Sequence, residues 1–588
     1  MRLSFRYLGK KDILMFVVSC LCVVGQVFLE LKIPEYTGKI TVLVQTTGVT
    51  VSDVMAPGSM MLLCAFGSLV FFIIAGYLLA SIGTDATAGI RKDIYRKVMS
   101  FSLQEMSGYD SASLITRCTV NVDMILRFWI SGPLMFVRAA VTLTVAIIKM
   151  VDTDVRWLYT VGSAAIAALI MMMVLLLIAV VRMVNVQLYT DDLNRLVGEH
   201  MSGIRVMHAF NAYRHQKKEF DRTNEKLTHF NIFVSYIMSI LTPGLMMISY
   251  ALTIAIFVMG AYIISGSPIG GRPELYAGMI EFSSYAAIIM GAVVSIIKGM
   301  VTVPAVVVSS KRISEVLDEK IVITDGEGAD QDEQAPAVRF EHVSFAYPGA
   351  SANVLNDISF EAKKGETVAF IGNTGCGKTT LLNLIPRLYE AGEGRIEIGG
   401  NDIKKYTIEE LRTSIGYVPQ KARLFSGTIA KNIDFGDNGG YAKSLSDIKK
   451  AAEVGQADEF IMQKPEGYDT LVQGGGTNFS GGQRQRLTIS RAVCRDPEIY
   501  LFDDSFSALD FKTDRELRRA LKKHAAGATI IIVAQRISTI RNAGRIYVMD
   551  KGRIVGEGTH DELMENSEVY KEIAYTQIEG ITIEGKGA

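Results

Sequence analysis

The chain has few cysteines, and their spacing suits neither a disulfide framework nor a zinc site. Six cysteines are scattered over 588 residues without a C-x-x-C pair or a cluster with histidine: Cys20, Cys22, Cys64, Cys118, Cys376 and Cys494. Disulfide scaffolds and structural zinc sites both need such regular spacings. We therefore expect reduced cysteines in the cytosol or the membrane.

The chain also lacks a net charge, because 61 Lys and Arg residues balance 61 Asp and Glu residues. Nucleic-acid-binding proteins usually carry a basic excess, so no nucleic-acid partner is expected. Apolar residues, in contrast, make up 49% of the chain. The chain is too long for one ordinary domain, and its composition indicates a membrane protein.

Long apolar runs predict six membrane-spanning helices. The runs occupy residues 13–29, 60–82, 128–148, 157–181, 232–264 and 282–297. Each run, alone or with flanking residues, covers about 30 Å of hydrocarbon as a helix. We predict the complete helices at about 13–45, 57–105, 119–150, 155–205, 215–265 and 275–320. The first run follows a basic segment as a signal peptide does, but charged residues and Pro34 replace a cleavage site, so we interpret it as a retained span.

Basic residues are concentrated on one side of these spans. Eighteen Lys and Arg residues lie in the segments 1–12, 83–127 and 182–231, whereas the three opposite loops carry only three. Cytoplasmic loops of membrane proteins show this excess. The pattern predicts a multi-pass protein of the cell membrane with both termini in the cytosol.

The two long inner connections have helical spacing of apolar residues, which predicts that the spans continue well into the cytosol. We expect short crossing helices near 112–119 and 207–214. Phe210 and Tyr213 are either docking aromatics or packing residues of the long helices.

Charged residues inside apolar spans are unfavourable unless they face a cavity or a partner. Arg138 and Lys298 each interrupt an apolar helix, and both alternatives stay open for them. Glu35 and Lys39 are four residues apart and are expected to pair with each other.

A change of pattern marks the domain boundary. The acidic, apolar-poor stretch 323–337 separates the spans from short strands that alternate with helical segments. We predict an all-α transmembrane domain at 1–320, a linker at 321–337 and an α/β P-loop nucleotide-binding domain at 338–588.

The string GNTGCGKTT follows an apolar strand and precedes a helix, as a phosphate-binding loop requires. Its glycines let backbone amides approach the phosphates of ATP. Lys378 is expected to bind the β and γ phosphates, and the Thr379 hydroxyl to bind Mg²⁺. The candidate nucleotide-binding residues are Gly372, Asn373, Thr374, Gly375, Cys376, Gly377, Lys378, Thr379 and Thr380.

Two further strings complete this chemistry. Asp503 ends the apolar strand EIYLF, where a carboxylate holds Mg²⁺ through water. In NFSGGQ, Ser480, Gly481 and Gly482 open a helix whose hydroxyl, amides and dipole form a second anion site, followed by Gln483.

In this order, behind six spans, these strings resemble a half-transporter of the type IV ABC exporters. The resemblance implies that Tyr347 stacks on adenine and that Gln420 senses Mg²⁺ and the γ phosphate. It also implies that NFSGGQ is the signature motif, which binds ATP held by the opposite cassette. Two cassettes then pair head to tail, and the crossing helices near 112–119 and 207–214 become coupling helices.

The chain departs from this family at the catalytic positions. Asp504 stands where a Glu acts as general base, and loss of one methylene withdraws the carboxylate from the water; a misplacement near 1 Å can reduce the rate about a hundredfold. Gln535 stands where a His contacts the γ phosphate, and Gln carries neither the proton nor the charge. Gly474 also replaces a frequent Glu.

These departures predict a degenerate ATP site in a heterodimeric exporter, with a slow homodimer as the alternative. The substrate is expected to be hydrophobic or amphipathic: a drug, a lipid or a peptide. An inward-running transporter of the same fold, for example for siderophore uptake, and a regulatory membrane protein stay open.

Overall fold

The structure is a computed structural model and describes residues 6–46, 48–151, 155–268, 271–329, 332, 334–436 and 442–584. The chain divides into two compact units. The helical unit comprises Met1–Met99 and Ser111–Glu319, and the second unit comprises Ser100–Asp110 and Lys320–Ala588.

The first part of the chain is helical among its described residues. Its helices are α1 (Lys10–Gln45), α2 (Val51–Met99), α3 (Leu103–Ser107), α4 (Ser111–Thr116), α5 (Val122–Val151), α6 (Val155–Ser202), α7 (Ile204–Ala209), α8 (Tyr213–Ser265) and α9 (Arg272–Leu317). A π-helical turn, Arg117–Asn121, joins α4 to α5. Six helical segments within the described residues are long and apolar enough to cross a membrane, which confirms the predicted all-α domain.

Apolar side chains hold the helical unit together. Val27 of α1, Ala168 of α6, Ile256 of α8 and Ile289 of α9 belong to one buried cluster. Helices suit this environment because each satisfies its own backbone hydrogen bonds where water is absent. Many other apolar side chains of these helices stay exposed, as surfaces that meet lipid do.

Charged side chains within the helical unit pair with one another. Arg138 of α5 donates to Glu30 of α1, with an Nη2–Oε1 distance of 2.7 Å. Arg138 was expected either to face a cavity or to have a structural partner, and the structure shows Glu30 as its partner. Glu35 pairs with Lys39 at 3.4 Å, as the spacing predicted, and its second oxygen lies 3.8 Å from Lys149.

The second unit contains two main sheets. Its strands are β1 (Val338–Phe345), β2 (Leu355–Ala362), β3 (Thr367–Gly372), β4 (Glu393–Ile398), β5 (Asn401–Asp402), β6 (Ile415–Val418), β7 (Gly427–Thr428), β8 (Leu471–Val472), β9 (Ile499–Asp503), β10 (Thr529–Val533), β11 (Arg545–Asp550) and β12 (Arg553–Gly558). The larger sheet has the order β12-β11-β3-β10-β9-β6, and all its neighbours are parallel except β12 with β11. The second sheet, β2-β1-β4-β5, is antiparallel.

Helices cover the parallel sheet, so that its central strands are buried on both faces. The helices of this part of the chain are α10 (Lys378–Leu384), α11 (Ile408–Thr413), α12 (Ile429–Ile433), α13 (Leu445–Val454), α14 (Asp458–Met462), α15 (Gly481–Arg495), α16 (Phe511–His524), α17 (Ile537–Ile540), α18 (His560–Asn566) and α19 (Glu568–Glu584). This arrangement confirms the predicted α/β domain. Because the carboxyl ends of parallel strands meet at one edge, the loops after β3, β9 and β10 lie together.

The second unit also includes a short segment that lies between α2 and α5 in the chain. Residues Ser100–Asp110, which include α3, belong to it rather than to the helical unit. The Glu105 carboxylate accepts a hydrogen bond from the Val322 amide of the linker at 2.9 Å and also caps α3 through Ser102. Helix α2 therefore ends at Met99, before the expected position near 105, because Ser102 starts a separate helix.

Candidate nucleotide-binding site

The phosphate-binding loop connects the buried strand β3 to α10. Gly377 has a φ of 101°, a left-handed conformation, and a Cβ there would lie 2.7 Å from Leu355 Cδ2. At Gly372 a Cβ would lie 2.1 Å from the Met549 carbonyl oxygen. Only glycine fits both positions, so the loop wraps tightly enough for its amides to face one point.

Lys378 lies inside this loop. Its Nζ donates to the carbonyl oxygens of Gly372 at 2.7 Å and Asn373 at 2.9 Å, and it lies 3.4 Å from Cys376 Sγ. The side chain is buried, and its ammonium is held where the loop curves. A positive charge fixed at this point is suited to binding phosphate oxygens.

Thr379 and Asp503 are brought together from different elements. The Thr379 hydroxyl donates to Asp503 Oδ1 at 2.9 Å, and Asp503 ends the buried strand β9. Burial raises the pKa of Asp503, an effect that the Thr379 hydrogen bond and the Lys378 charge oppose. A hydroxyl beside a carboxylate is a hard oxygen donor set that suits Mg²⁺.

This set is small. Among the residues that the structure describes, no group of three or more His, Cys, Asp or Glu side chains is placed to hold a metal ion. A metal here would need water and phosphate oxygens as its remaining ligands, which is how Mg²⁺ binds with nucleotides. The residues present therefore fit Mg²⁺ with ATP.

Asp504 follows in an unusual backbone conformation. Its φ is 45°, in the left-handed region that Asp tolerates better than most residues, and its amide donates to the Val533 carbonyl at 2.9 Å. Gln420 Nε2 lies 3.5 Å from Asp504 Oδ2. Burial raises the pKa of Asp504, and the Gln420 hydrogen bond opposes this shift.

One cavity of about 310 Å³ brings together half of the predicted site residues. Its lining comprises Tyr347, Val354, Thr374, Gly375, Gly377, Lys378, Thr379, Thr380, Gln420 and Gln535. Gln535 thus lines the same space as the phosphate-binding loop. Val354 was missed by the sequence analysis, because no motif marks an isolated valine between two strands.

Tyr347 is held within an aromatic group at this cavity. Its hydroxyl and that of Thr380 are 2.9 Å apart, and its ring packs edge to face against Tyr389 with centroids 5.2 Å apart. Tyr389 lies 42 residues further along the chain, so no local sequence pattern could predict that the two rings meet.

The signature residues do not line this cavity. Ser480 caps α15: its hydroxyl accepts from the Gln483 amide at 3.3 Å, while the Ser480 amide donates to Gln483 Oε1 at 3.0 Å. The structure thus gives the Gln483 side chain a capping role within its own helix. The S-x-x-Q spacing of a capping box is a signal that could have predicted this role.

The glycines of the signature keep the start of α15 open. A Cβ on Gly481 would meet no heavy atom within 4 Å, and one on Gly482 would lie 3.3 Å from the Ala508 carbonyl oxygen. Phe479, by contrast, is buried and packs against Phe460. The chain therefore presents a helix amino terminus with accessible amides away from its own phosphate-binding loop.

Comparisons with known proteins agree with this architecture. The family profile described as ABC transporter matches residues 355–507, and the profile described as ABC transporter transmembrane region matches residues 16–293. A bacterial Atm1-family ABC exporter with ATP bound has the same fold, with a TM-score of 0.82 at 22% identity, covering 97% of this chain and 98% of that one.

Several bacterial proteins match this chain over most of their own length. An uncharacterized ABC transporter ATP-binding protein of Mycobacterium tuberculosis H37Rv is 33% identical over 529 residues, 89% of this chain and 88% of that protein. The uncharacterized ABC transporter ATP-binding protein YfiB of Bacillus subtilis is 34% identical over 83% of each chain. An ATP-dependent lipid A-core flippase of Pseudomonas fluorescens is 31% identical over 84% of this chain and 81% of that protein.

Segments of both units thus match profiles of the same protein family. The chain belongs to the ABC transporters, as a multi-pass half-transporter of the exporter fold whose membrane-spanning helices are fused to an ATP-binding, ATP-hydrolysing cassette.

Proposed function

We propose that this chain is one subunit of a heterodimeric ATP-driven exporter and carries the weaker of its two ATP sites. The observation that supports this assignment is the pair Asp504 and Gln535, which stand beside an otherwise complete phosphate-binding loop. ATP binds such a site, but the water that attacks it lacks a well-placed base.

The catalytic roles in this proposal follow from side-chain reach. Asp504 would act as the base, but its carboxylate is one methylene nearer the backbone than that of Glu. Its raised pKa would make it a stronger base, yet reach limits it first, since proton transfer needs hydrogen-bond contact. Gln535 donates a neutral hydrogen bond to the γ phosphate and gives it no positive charge.

The binding roles are intact. Lys378 neutralises the β and γ phosphates, while Thr379 and Asp503 hold Mg²⁺ together with water, and Gln420 senses its presence. Tyr347 stacks on adenine. Mg²⁺ in this position would supply positive charge to the phosphate oxygens.

The signature completes the partner's site. Ser480, Gly481 and Gly482, with the amino terminus of α15, bind the γ phosphate of ATP held by a second and different half-transporter. Hydrolysis then occurs mainly on the partner's cassette. ATP binding closes the cassettes, and the coupling helices turn the spans outward.

The cassette and both termini lie in the cytosol in this proposal, and the substrate leaves across the cell membrane. A hydrophobic or amphipathic molecule, such as a drug, lipid or peptide, is the expected cargo. The flippase of Pseudomonas fluorescens acts on lipid A-core, which supports an amphipathic cargo without identifying it.

Two substitutions test the asymmetry directly: Lys378→Ala at the weak site and Ser480→Ala at the site shared with the partner. We expect Ser480→Ala to reduce the steady-state ATPase rate of the reconstituted pair more than Lys378→Ala at saturating ATP. Lys378→Ala should mainly weaken nucleotide binding and leave residual turnover.

The opposite ranking, with Lys378→Ala inactive and Ser480→Ala near normal, would contradict the assignment. Full ATPase activity of the purified chain without a partner would instead support a homodimer. Substitution of Thr576, an exposed residue of α19 whose hydroxyl bonds only within its helix, to Ala provides the control.

A further inference from the structure

The segment that carries Gln535 needs support from outside itself. It follows β10 and leads into α17, a helix of four residues. The residue before this helix, Arg536, provides no side-chain cap. The first amide of α17, on Ile537, would therefore lack a partner, since the first amides of any helix have none inside it.

Gln577 of the carboxyl-terminal helix α19 supplies that partner. Its Oε1 accepts from the Ile537 amide at 2.9 Å, and its Nε2 donates to the Gln535 carbonyl oxygen at 2.7 Å. One side-chain amide thus bridges both ends of the segment 535–537. Only this orientation of the amide satisfies both groups, because a carbonyl accepts and an amide N–H donates.

The helix that carries Gln577 is itself firmly docked. Tyr570 and Ala574 of α19 are buried in the core of the second unit, and the Tyr570 hydroxyl lies 2.8 Å from His560 Nδ1. Gln577 follows Tyr570 by seven residues and so lies on the same face of the helix. The position of its backbone is therefore set by packing.

The far side of the segment is fixed by α16. Arg518 Nη1 donates to the carbonyl oxygens of Ser538 and Thr539 at 3.0 Å each, and Arg518 pairs with Asp514 at 2.7 Å. Within residues 535–537, Gln577 holds the Gln535 carbonyl and the Ile537 amide, while the Gln535 amide donates to the Asp504 carboxylate.

We propose that Gln577 is a positioning residue that directs Gln535 towards the γ phosphate and so sets the preference of this site for ATP over ADP. The inference rests on the proposed role of Gln535 in contacting that phosphate. The two hydrogen bonds fix the backbone from which the Gln535 side chain enters the cavity. The docking of α19 is thereby coupled to recognition of the nucleotide.

The ATP:ADP preference of this chain tests the inference in the assembled transporter. Photo-cross-linking with 8-azido-ATP at 4 °C, with the subunits resolved by gel, reports binding to this chain; unlabelled ATP and ADP then compete. We expect Gln577→Ala to lower the ATP:ADP affinity ratio about three- to tenfold, as loss of a hydrogen bond to a charged group does. ADP affinity should stay within about twofold, because the contacts to the other phosphates are unchanged.

A double-mutant cycle separates positioning from general damage. Gln535→Ala should lower the ratio to a similar extent, and Gln577→Ala added to it should have no further effect. Gln577→Glu keeps an acceptor for the Ile537 amide but loses the donor to Gln535, and it should also lower the ratio. Thr576→Ala is the matched control and should leave the ratio unchanged.

Failure of this inference can be distinguished from failure of the proposed role of Gln535. Equal weakening of ATP and ADP by Gln577→Ala, or no effect of it where Gln535→Ala lowers the ratio, overturns the inference and leaves the proposed function standing. An unchanged ratio in Gln535→Ala removes the proposed role of Gln535 and the inference with it.

Discussion

At the residue scale, the proposed weakness of this ATP site rests on Asp504 and Gln535. Asp504 lies close to Gln420 and beside Asp503, so the carboxylate is present but short. Its left-handed backbone also favours Asp over Glu by a modest amount, because Asp tolerates this region better. The short carboxylate and the backbone conformation at Asp504 both support the proposed weak hydrolysis at this site.

The first prediction concerns a double variant in which the usual Glu and His of the family replace Asp504 and Gln535. Asp504→Glu combined with Gln535→His should raise hydrolysis at this site, provided that the partner's signature is intact. General acid–base catalysis contributes about 10²–10⁴-fold, and the strained backbone at 504 places the gain near the lower end. Single-turnover hydrolysis of ATP bound to this chain is the measurement. No gain would locate the remaining defect in the partner's signature.

At the scale of elements, the junction between α3 and the linker is a specific link within the second unit. Burial acts to raise the pKa of Glu105, but hydrogen bonds from Ser102 and from the Val322 amide outweigh it and hold the pKa below its usual value. A carboxyl whose pKa is lowered by folding stabilises the folded state above its unfolded pKa. That stabilisation is lost as the pH falls through the folded value.

We expect Glu105→Ala to loosen this junction by about 1–2 kcal/mol, since it removes a cap and leaves a partner unsatisfied. Trypsin cleavage after the exposed Lys320, two residues before Val322, should accelerate about five- to thirtyfold near pH 7. Ser107→Ala, at an exposed position of α3, should have no effect. Equal cleavage rates for Glu105→Ala and the unmodified protein would show that the contact does not hold the linker.

The pH dependence provides a second readout of the same junction. The difference in thermal stability between the unmodified protein and Glu105→Ala should shrink as the pH falls below about 4.5, the ordinary pKa of Glu. A difference that grows in acid would contradict the lowered pKa.

Elements were predictable where one local pattern dominated. Uniform apolar runs predicted the six spans, and the strand–loop–helix context predicted the phosphate-binding loop. The break after Met99 was not predicted, because Ser102 and Glu105 form a capping box inside a stretch with continuous helical spacing. The same limit applies to Gln577: its contacts with Gln535 and Ile537 cross about 40 residues, and no local pattern reports them.

At the scale of the whole molecule, the helical unit contains charged side chains in helices whose apolar surroundings disfavour charge. The pair Glu30–Arg138 joins α1 to α5, and both side chains are only partly buried. A single ionised group in an apolar environment is unfavourable, whereas a matched pair is tolerated. The pair therefore favours the arrangement of these two helices.

A double-mutant cycle on the thermal stability of the protein in lipid nanodiscs tests whether the two charges stabilise each other. Glu30→Gln and Arg138→Met should each lower the thermal unfolding midpoint, and the double variant should recover part of the loss, with a coupling energy of about 1–3 kcal/mol. Arg127→Met, at an exposed position of the same helix, is the control. Strictly additive effects would show that the two charges act independently.

The capping of α15 by Ser480 has a consequence for genetics. Ser480 and Gln483 cap the start of this helix, and Arg484 donates to the carbonyl oxygens of Gly476 and Phe479. These contacts do not involve Asp504, Gln535 or the phosphate-binding loop. Under the proposed function, the residues that bind ATP on the partner's cassette and those that bind ATP on this chain are therefore encoded in separable stretches. In the proposed heterodimer each complex contains one copy of this subunit, so an allele damaged at Ser480 and an allele damaged at Lys378 should give different phenotypes and should not complement each other.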